Sequence, residues 1–166
     1  SWVMLINNLF RRQLFSSLFL VFLIQPSTAQ PPIISYTSVL TGLSDPIEVV
    51  NAGDGSNRVF IVEQNGNIRV WNGAATSLFA NFGSTGENII TFGGEQGLLS
   101  MAFHPNYNGT TNRFFFIYYV NTSGDIAVSR YQTTNGNINT VDYTTATPII
   151  TVPHPGFGNH NGGKLN

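Results

Sequence analysis

Two glycine-rich segments carry the side chains best suited to chemistry. Gly93-Gly94-Glu95-Gln96-Gly97 sets a carboxylate and a carboxamide among glycines, and Asn159-His160-Asn161-Gly162-Gly163 does the same for a histidine. Histidine takes up a proton near neutral pH, so His160 is a candidate general base. Glycines let such loops bring backbone close to a ligand. On spacing alone, a loop histidine that ties down neighbouring backbone is the stronger reading of His160. His104, in Phe103-His104-Pro105, reads as structural, ending a strand and anchoring a turn, whereas His154 between two prolines fits either role. Two histidines on a flexible loop make His154, His160 and Glu95 a poor metal signal. Asp54-Gly55-Ser56 is a turn without the ligand series of a calcium loop.

These loops must be positioned by strands, because no stretch after Gln30 sustains a helical period. Short β-rich runs recur between Gly and Asn turns, which is the pattern of an antiparallel all-β fold. The first set is Ile47 to Val50, Val59 to Glu63, Ile68 to Trp71 and Leu78 to Phe82. Asn65-Gly66 is expected to form a type I′ hairpin turn, with Asn72-Gly73 repeating the device. The second set is Leu98 to Phe103, Phe114 to Val120, Ile126 to Tyr131 and Pro148 to Val152. Asn57-Arg58-Val59-Phe60 is answered by Asn112-Arg113-Phe114-Phe115 at the second strand of each set. Four strands per unit with a repeat of roughly 40–50 residues predicts β-propeller blades.

Phe114, Phe116 and Tyr118 point to one face of their strand, and Phe115, Ile117 and Tyr119 to the other. Both faces are apolar or aromatic, so the strand is expected to be covered on both sides, as between neighbouring blades. Each chemistry-bearing loop immediately precedes the first strand of a blade. First strands line a propeller's channel, so Gln96 and His160 are expected to converge at one channel mouth, the form of a small-molecule site. Two blades are fewer than the typically 4–8 that close a ring. The expectation is a truncated architecture.

The first residues follow different rules. Arg11-Arg12, an apolar run from Leu14 to Ile24, and Ser27 and Ala29 before Gln30 describe a secretory signal peptide with cleavage after Ala29. The apolar run is short for a membrane span, and none is expected once the signal is removed. Of 166 residues, 42% are hydrophobic and 9% charged, with a net charge of −1. That balance argues against disorder and lacks the basic face that nucleic acid requires. Cysteine is absent, so an exported chain gains nothing from disulfides and offers no thiol chemistry. Asn108-Gly109-Thr110 and Asn121-Thr122-Ser123 are glycosylation sequons, of consequence only in a host that uses them.

Five ordered segments carry a resemblance: Gly42-Leu43-Ser44-Asp45-Pro46, Asp54-Gly55-Ser56-Asn57-Arg58, Gly94-Glu95-Gln96-Gly97-Leu98-Leu99, Ala102-Phe103-His104-Pro105 and Asn159-His160-Asn161-Gly162-Gly163. Together they resemble the soluble glucose/sorbosone dehydrogenase family, whose enzymes use pyrroloquinoline quinone (PQQ). The resemblance implies a six-bladed β-propeller, of which residues 42–166 supply about the first two blades after a signal peptide (1–29) and a short leader (30–41). It implies periplasmic or extracellular oxidation of a sugar hydroxyl, or aldose C1, with hydride passing to the quinone and on to an electron acceptor. His160 matches the family's base and a quinone contact. Gln96 matches a residue touching both substrate and cofactor. Asn159 stands beside the base as a substrate contact, where some members carry Asp, and Ser100 stands where members often have Gly. The cationic cofactor clamps and calcium ligands of the family lie further downstream, so PQQ and calcium are expected with their main ligands outside this segment, which is expected to be inactive by itself. A second class stays open: a non-enzymatic propeller that binds a glycan or protein partner.

Overall fold

The computed structural model of the chain describes residues 31–154 and 156–166. The expected signal peptide and its cleavage site lie outside the described residues. Residues 31–39 form neither helix nor strand and are exposed. They belong to a unit ending at Val39, separate from the unit Leu40–Asn166.

The second unit is all β. Eight strands follow in order: β1 (Pro46–Asn51), β2 (Val59–Glu63), β3 (Asn67–Trp71), β4 (Thr76–Asn81), β5 (Leu98–Phe103), β6 (Phe114–Val120), β7 (Ile126–Thr134) and β8 (Asn137–Val152). They make two four-stranded antiparallel meanders, β1-β2-β3-β4 and β5-β6-β7-β8. Each meander has only nearest-neighbour connections, as short turns between β-rich runs dictate. No helix among the described residues is long and apolar enough to cross a membrane.

The sheets meet through alternate residues. Phe60 and Val62 of β2, Ile68 and Val70 of β3 and Phe79 of β4 share one buried cluster with Met101, Phe115, Ile117 and Tyr131 of the second sheet. Aromatic edges interlock across the seam: Phe60 with Phe103 at 4.8 Å between ring centroids, Phe79 with Phe115 at 5.4 Å, and Phe82 with Tyr131 at 5.0 Å. Such pairs add about 0.5–1.5 kcal/mol each beyond the area they bury. With no disulfide available, this seam and a few polar ties hold the sheets together. The Arg58 guanidinium, 5% exposed, donates to the Ile138 carbonyl at 2.6 Å and to Asp54 at 2.7 Å. The Tyr143 hydroxyl accepts the Asn81 N–H at 2.7 Å. The second strands of the two sheets are thus equivalent in position, and the first Asn-Arg pair contributes a sheet-to-sheet bond.

Three expectations need correction. The Asn65-Gly66 turn is not type I′, which needs positive φ at both residues. Only Gly66 has it (φ 103°), just as only Gly73 (φ 96°) has it in the Asn72-Gly73 pair, and the Gly66 N–H bonds to the Glu63 carbonyl at 3.0 Å, so Gln64 and Asn65 form the turn and Gly66 follows it. The Gly66 carbonyl accepts the Phe82 N–H at 2.8 Å, and a Cβ at Gly66 would stand 2.5 Å from the Gly83 nitrogen, so glycine suits this position. Strand β6 is buried on one face only: Phe115, Ile117 and Tyr119 are buried, whereas Phe114, Phe116 and Tyr118 are half-buried. No third sheet covers that face among the described residues. Instead Arg130 lies over the Phe114 ring at 4.5 Å. Finally, β8 extends from Asn137 rather than Pro148. It pairs with β7 through three register shifts, which accommodate its irregular course and Pro148 at the sheet edge.

Candidate active site at the loops before β5 and after β8

The first loop is pinned on two sides. Gln64, in the β2–β3 turn, donates its carboxamide to the Gly94 carbonyl at 2.8 Å and the Gln96 carbonyl at 3.1 Å. Gly93 and Gln96 exchange backbone bonds, closing a tight turn over Gly94-Glu95. The Thr91 N–H bonds to Val120 at 2.9 Å and the Thr91 hydroxyl to Asn121 at 2.8 Å, anchoring the loop's other side to the end of β6. Gln96 is half-buried. Its backbone is therefore held on the protein while its side-chain amide finds no partner among the described residues.

The second loop is built from its own histidines and asparagines. The His154 N–H donates to Asp125 Oδ1 at 3.0 Å, and His154 Nε2 lies 3.0 Å from the Asn159 carbonyl. A carbonyl can only accept, so Nε2 carries the proton in that contact. His154 is thus a brace that shapes the loop, its ring tilted against Phe157 at 5.4 Å between centroids. Asn161 is 1% exposed, donates to the Gly158 carbonyl at 3.1 Å, and leaves its Oδ1 buried without a partner among the described residues. The Asn161 carbonyl accepts the Tyr118 hydroxyl at 2.6 Å. Burial raises the Tyr118 pKa above its ordinary value, which keeps the hydroxyl a donor. Two residues on, Gly163 (φ 89°) lies flat on the Tyr118 ring, and a Cβ there would sit 2.1 Å from a ring carbon.

One contact brings the two loops together. Glu95 Oε2 accepts the His160 backbone N–H at 2.7 Å. His160 itself has φ 58°, in the left-handed region that histidine visits more readily than most side chains. Its imidazole is exposed, free to meet a ligand instead of serving as a brace. Asn159 is exposed beside it. His160, Asn159 and Gln96 thus lie on two loops that a single carboxylate joins. His104 has a different setting: its Nδ1 accepts the Asn106 N–H at 3.0 Å and faces the Asn112 carboxamide at 2.8 Å, shaping the β5–β6 connection.

Below these loops, β1 and β5 lie side by side. Glu48 of β1 is the residue that sequence reasoning missed. Its Oε2 accepts the Met101 N–H at 2.9 Å and its Oε1 pairs with Lys164, so one carboxylate ties β1, β5 and the segment after His160. Ser100, 1% exposed in β5, accepts the Leu165 N–H on its hydroxyl at 2.9 Å. A glycine at this position could not make that bond. A groove of ≈ 390 Å³ opens along Val49–Gly53, Met101–Pro105 and Lys164–Asn166.

The residues described do not by themselves form a seat for PQQ or calcium. Arg58, Arg69 and Lys164 are committed to Asp54, Glu63 and Glu48, and Arg113 to the Thr133 carbonyl. No group of three or more His, Asp or Glu side chains suited to a metal occurs among the described residues.

The strand order and the face-to-face sheets have a counterpart in a crystal structure from Thermus thermophilus assigned as an oxidoreductase (glucose dehydrogenase). The match has a TM-score of 0.60 and 23% sequence identity, covering 77% of this chain and 35% of that one. The two sheets are blades of a partial β-propeller. No protein-family model matches the chain. Among curated proteins it is similar to Hedgehog-interacting protein of Mus musculus (38% identical) and of Homo sapiens (36%), in each case over 72 residues, 42% of this chain. The chain spans about a tenth of the length of those relatives.

Proposed function

We propose that the chain is part of an exported oxidoreductase that oxidises a sugar hydroxyl, with His160 as the base. The observation that carries this reading is the Glu95–His160 contact, which holds an exposed imidazole and the Gln96 amide on two joined loops. Oxidation at a hydroxyl-bearing carbon removes a proton from oxygen and a hydride from carbon. An unhindered His160 imidazole takes the proton, and the Gln96 amide, able both to donate and to accept, orients the sugar. The hydride acceptor is the part these residues do not provide. The resemblance to glucose/sorbosone dehydrogenases assigns it to PQQ, with calcium and cationic clamps from elsewhere in the protein. The likeness in fold to a protein assigned as a glucose dehydrogenase supports the same class.

The 72-residue similarity to Hedgehog-interacting protein favours a second reading, a propeller that binds a glycan or protein partner without chemistry. One experiment separates them. The protein expressed from its complete reading frame is reconstituted with PQQ and calcium, and dye reduction is followed across a panel of aldoses. Aldose-dependent reduction supports the oxidoreductase. A protein that takes up no quinone and oxidises no sugar is the binding propeller.

A further inference from the structure

A second groove, of ≈ 360 Å³, is lined by neither His160 nor Gln96, although its wall includes earlier residues of the same β4–β5 connection that carries Gln96. Asn65, Asn67, Asn81, Ser84 and Thr85 line it with the apolar side chains Ile90 and Phe92. None of its lining residues is titratable, so a charged ligand would enter without a counter-charge. Asn67 and Asn81 are directly opposed on β3 and β4, which puts their side chains about 5 Å apart on one face.

The wall of the groove is built in advance. Asn81 accepts the Gly83 N–H on Oδ1 at 3.0 Å, donates Nδ2 to the Thr85 hydroxyl at 2.9 Å, and accepts the Glu87 N–H on its carbonyl at 3.1 Å. The loop wraps Asn81 so closely that a Cβ at Gly86 would stand 2.2 Å from the Asn81 carbonyl oxygen. Asn65 is oriented likewise, its Oδ1 accepting the Asn67 N–H at 3.1 Å, which leaves Nδ2 as a donor. The Asn67 carboxamide, half-buried, has no hydrogen-bond partner among the described residues. Phe92 closes the groove with a ring that is 51% exposed.

We propose that this groove binds a neutral saccharide unit. The lining offers pre-oriented carboxamide donors and acceptors for hydroxyl groups and one aromatic surface for the C–H face of a pyranose ring. That mixture suits a polyhydroxylated ring better than an apolar or ionic ligand. Preorganisation of Asn65 and Asn81 lowers the ordering cost of binding. The inference does not rest on the oxidoreductase reading.

The test follows the side-chain amide NMR signals of Asn65 and Asn67 while the full chain, without quinone, is titrated with glucose, maltotriose or gluconate. Both neutral sugars are expected to shift these signals and gluconate to leave them in place. Tighter binding of maltotriose marks a glycan chain as the source, and equal binding marks a free monosaccharide. Asn67→Ala and Phe92→Ala should each weaken binding about five- to tenfold, the effect of losing a hydrogen bond or a ring contact. If Asn67→Ala disturbs folding, Phe92→Ala, on an exposed loop, still decides. Absence of shifts with any sugar, or unchanged affinity in Phe92→Ala, overturns the proposal. A chain that binds sugar here but oxidises none overturns only the oxidoreductase reading, and an active chain with indifferent groove variants overturns only this one.

Discussion

The Glu95 carboxylate reaches the His160 backbone N–H, 65 residues away in sequence, at 2.7 Å. Glu95 closes one loop before β5, and His160 sits in the left-handed region on the loop after β8. The contact is to backbone, so it sets where the imidazole is carried without occupying either ring nitrogen.

Glu95 is therefore expected to act as a positioning residue. Glu95→Gln keeps an acceptor oxygen and should preserve the contact, whereas Glu95→Ala should release it. Hydrogen exchange at the His160 amide reads this directly: near-native protection in Glu95→Gln, and markedly faster exchange in Glu95→Ala. Equal protection in both variants would mean that the loop is held without the carboxylate.

His160→Ala should leave the fold intact, because the exposed imidazole braces nothing among the described residues. In the sugar-oxidation assay its kcat should fall about 10²–10⁴-fold, the usual worth of a positioned base. Gln96→Ala should act more on KM than on kcat. Turnover of His160→Ala at the wild-type rate would remove the base assignment.

Gly163→Ala combines an unfavourable φ of 89° with a Cβ 2.1 Å from the Tyr118 ring. The loop must move or Tyr118 must leave, and a cost of about 1–3 kcal/mol is expected. Tyr118→Phe loses only the bond to the Asn161 carbonyl, about 1 kcal/mol. Denaturant melts of both variants give the comparison, and a harmless Gly163→Ala would contradict the close approach.

Asp54 supplies a pH signature. Burial by itself would raise its pKa, but hydrogen bonds from Ser56 and Arg58 outweigh that, and the net shift is downward from 3.8. A carboxyl depressed in the folded state stabilises above its unfolded pKa, and that contribution is lost as pH falls through the folded value. Both side chains of the Asp54–Arg58 pair are 6% exposed. Asp54→Asn keeps an acceptor for Ser56 and leaves Arg58 its bonds to Ile138 and Asn139, so it should cost about 1 kcal/mol at neutral pH. The gap to wild type should narrow below about pH 4 in melts run across pH.

Much of the scaffold is legible from the chain itself. Alternating apolar residues and Gly/Asn turns are local signals, and seven of the eight strands lie close to where those signals put them. β8 is longer than its apolar signal because Asn137–Thr147 is a Thr-rich edge segment whose outward side chains are polar, so little apolar alternation marks it. Its β-branched residues and the Asn135-Gly136 turn were the available signal.

What the sequence by itself determined was the all-β meander, the repeat of the second strands, and the two loops with Gln96 and His160. Tertiary structure alone decided how those loops meet. Glu95 on His160, Glu48 on Met101 and Lys164, Ser100 on Leu165, and Arg58 on Ile138 each join residues far apart in sequence. Hydrogen bonds of this kind leave no periodicity in the chain, because a carboxylate or hydroxyl looks the same whether it faces water or a backbone N–H. Only the packing of one sheet on the other, through Phe60, Phe79, Phe103 and Phe115, brings those partners within reach.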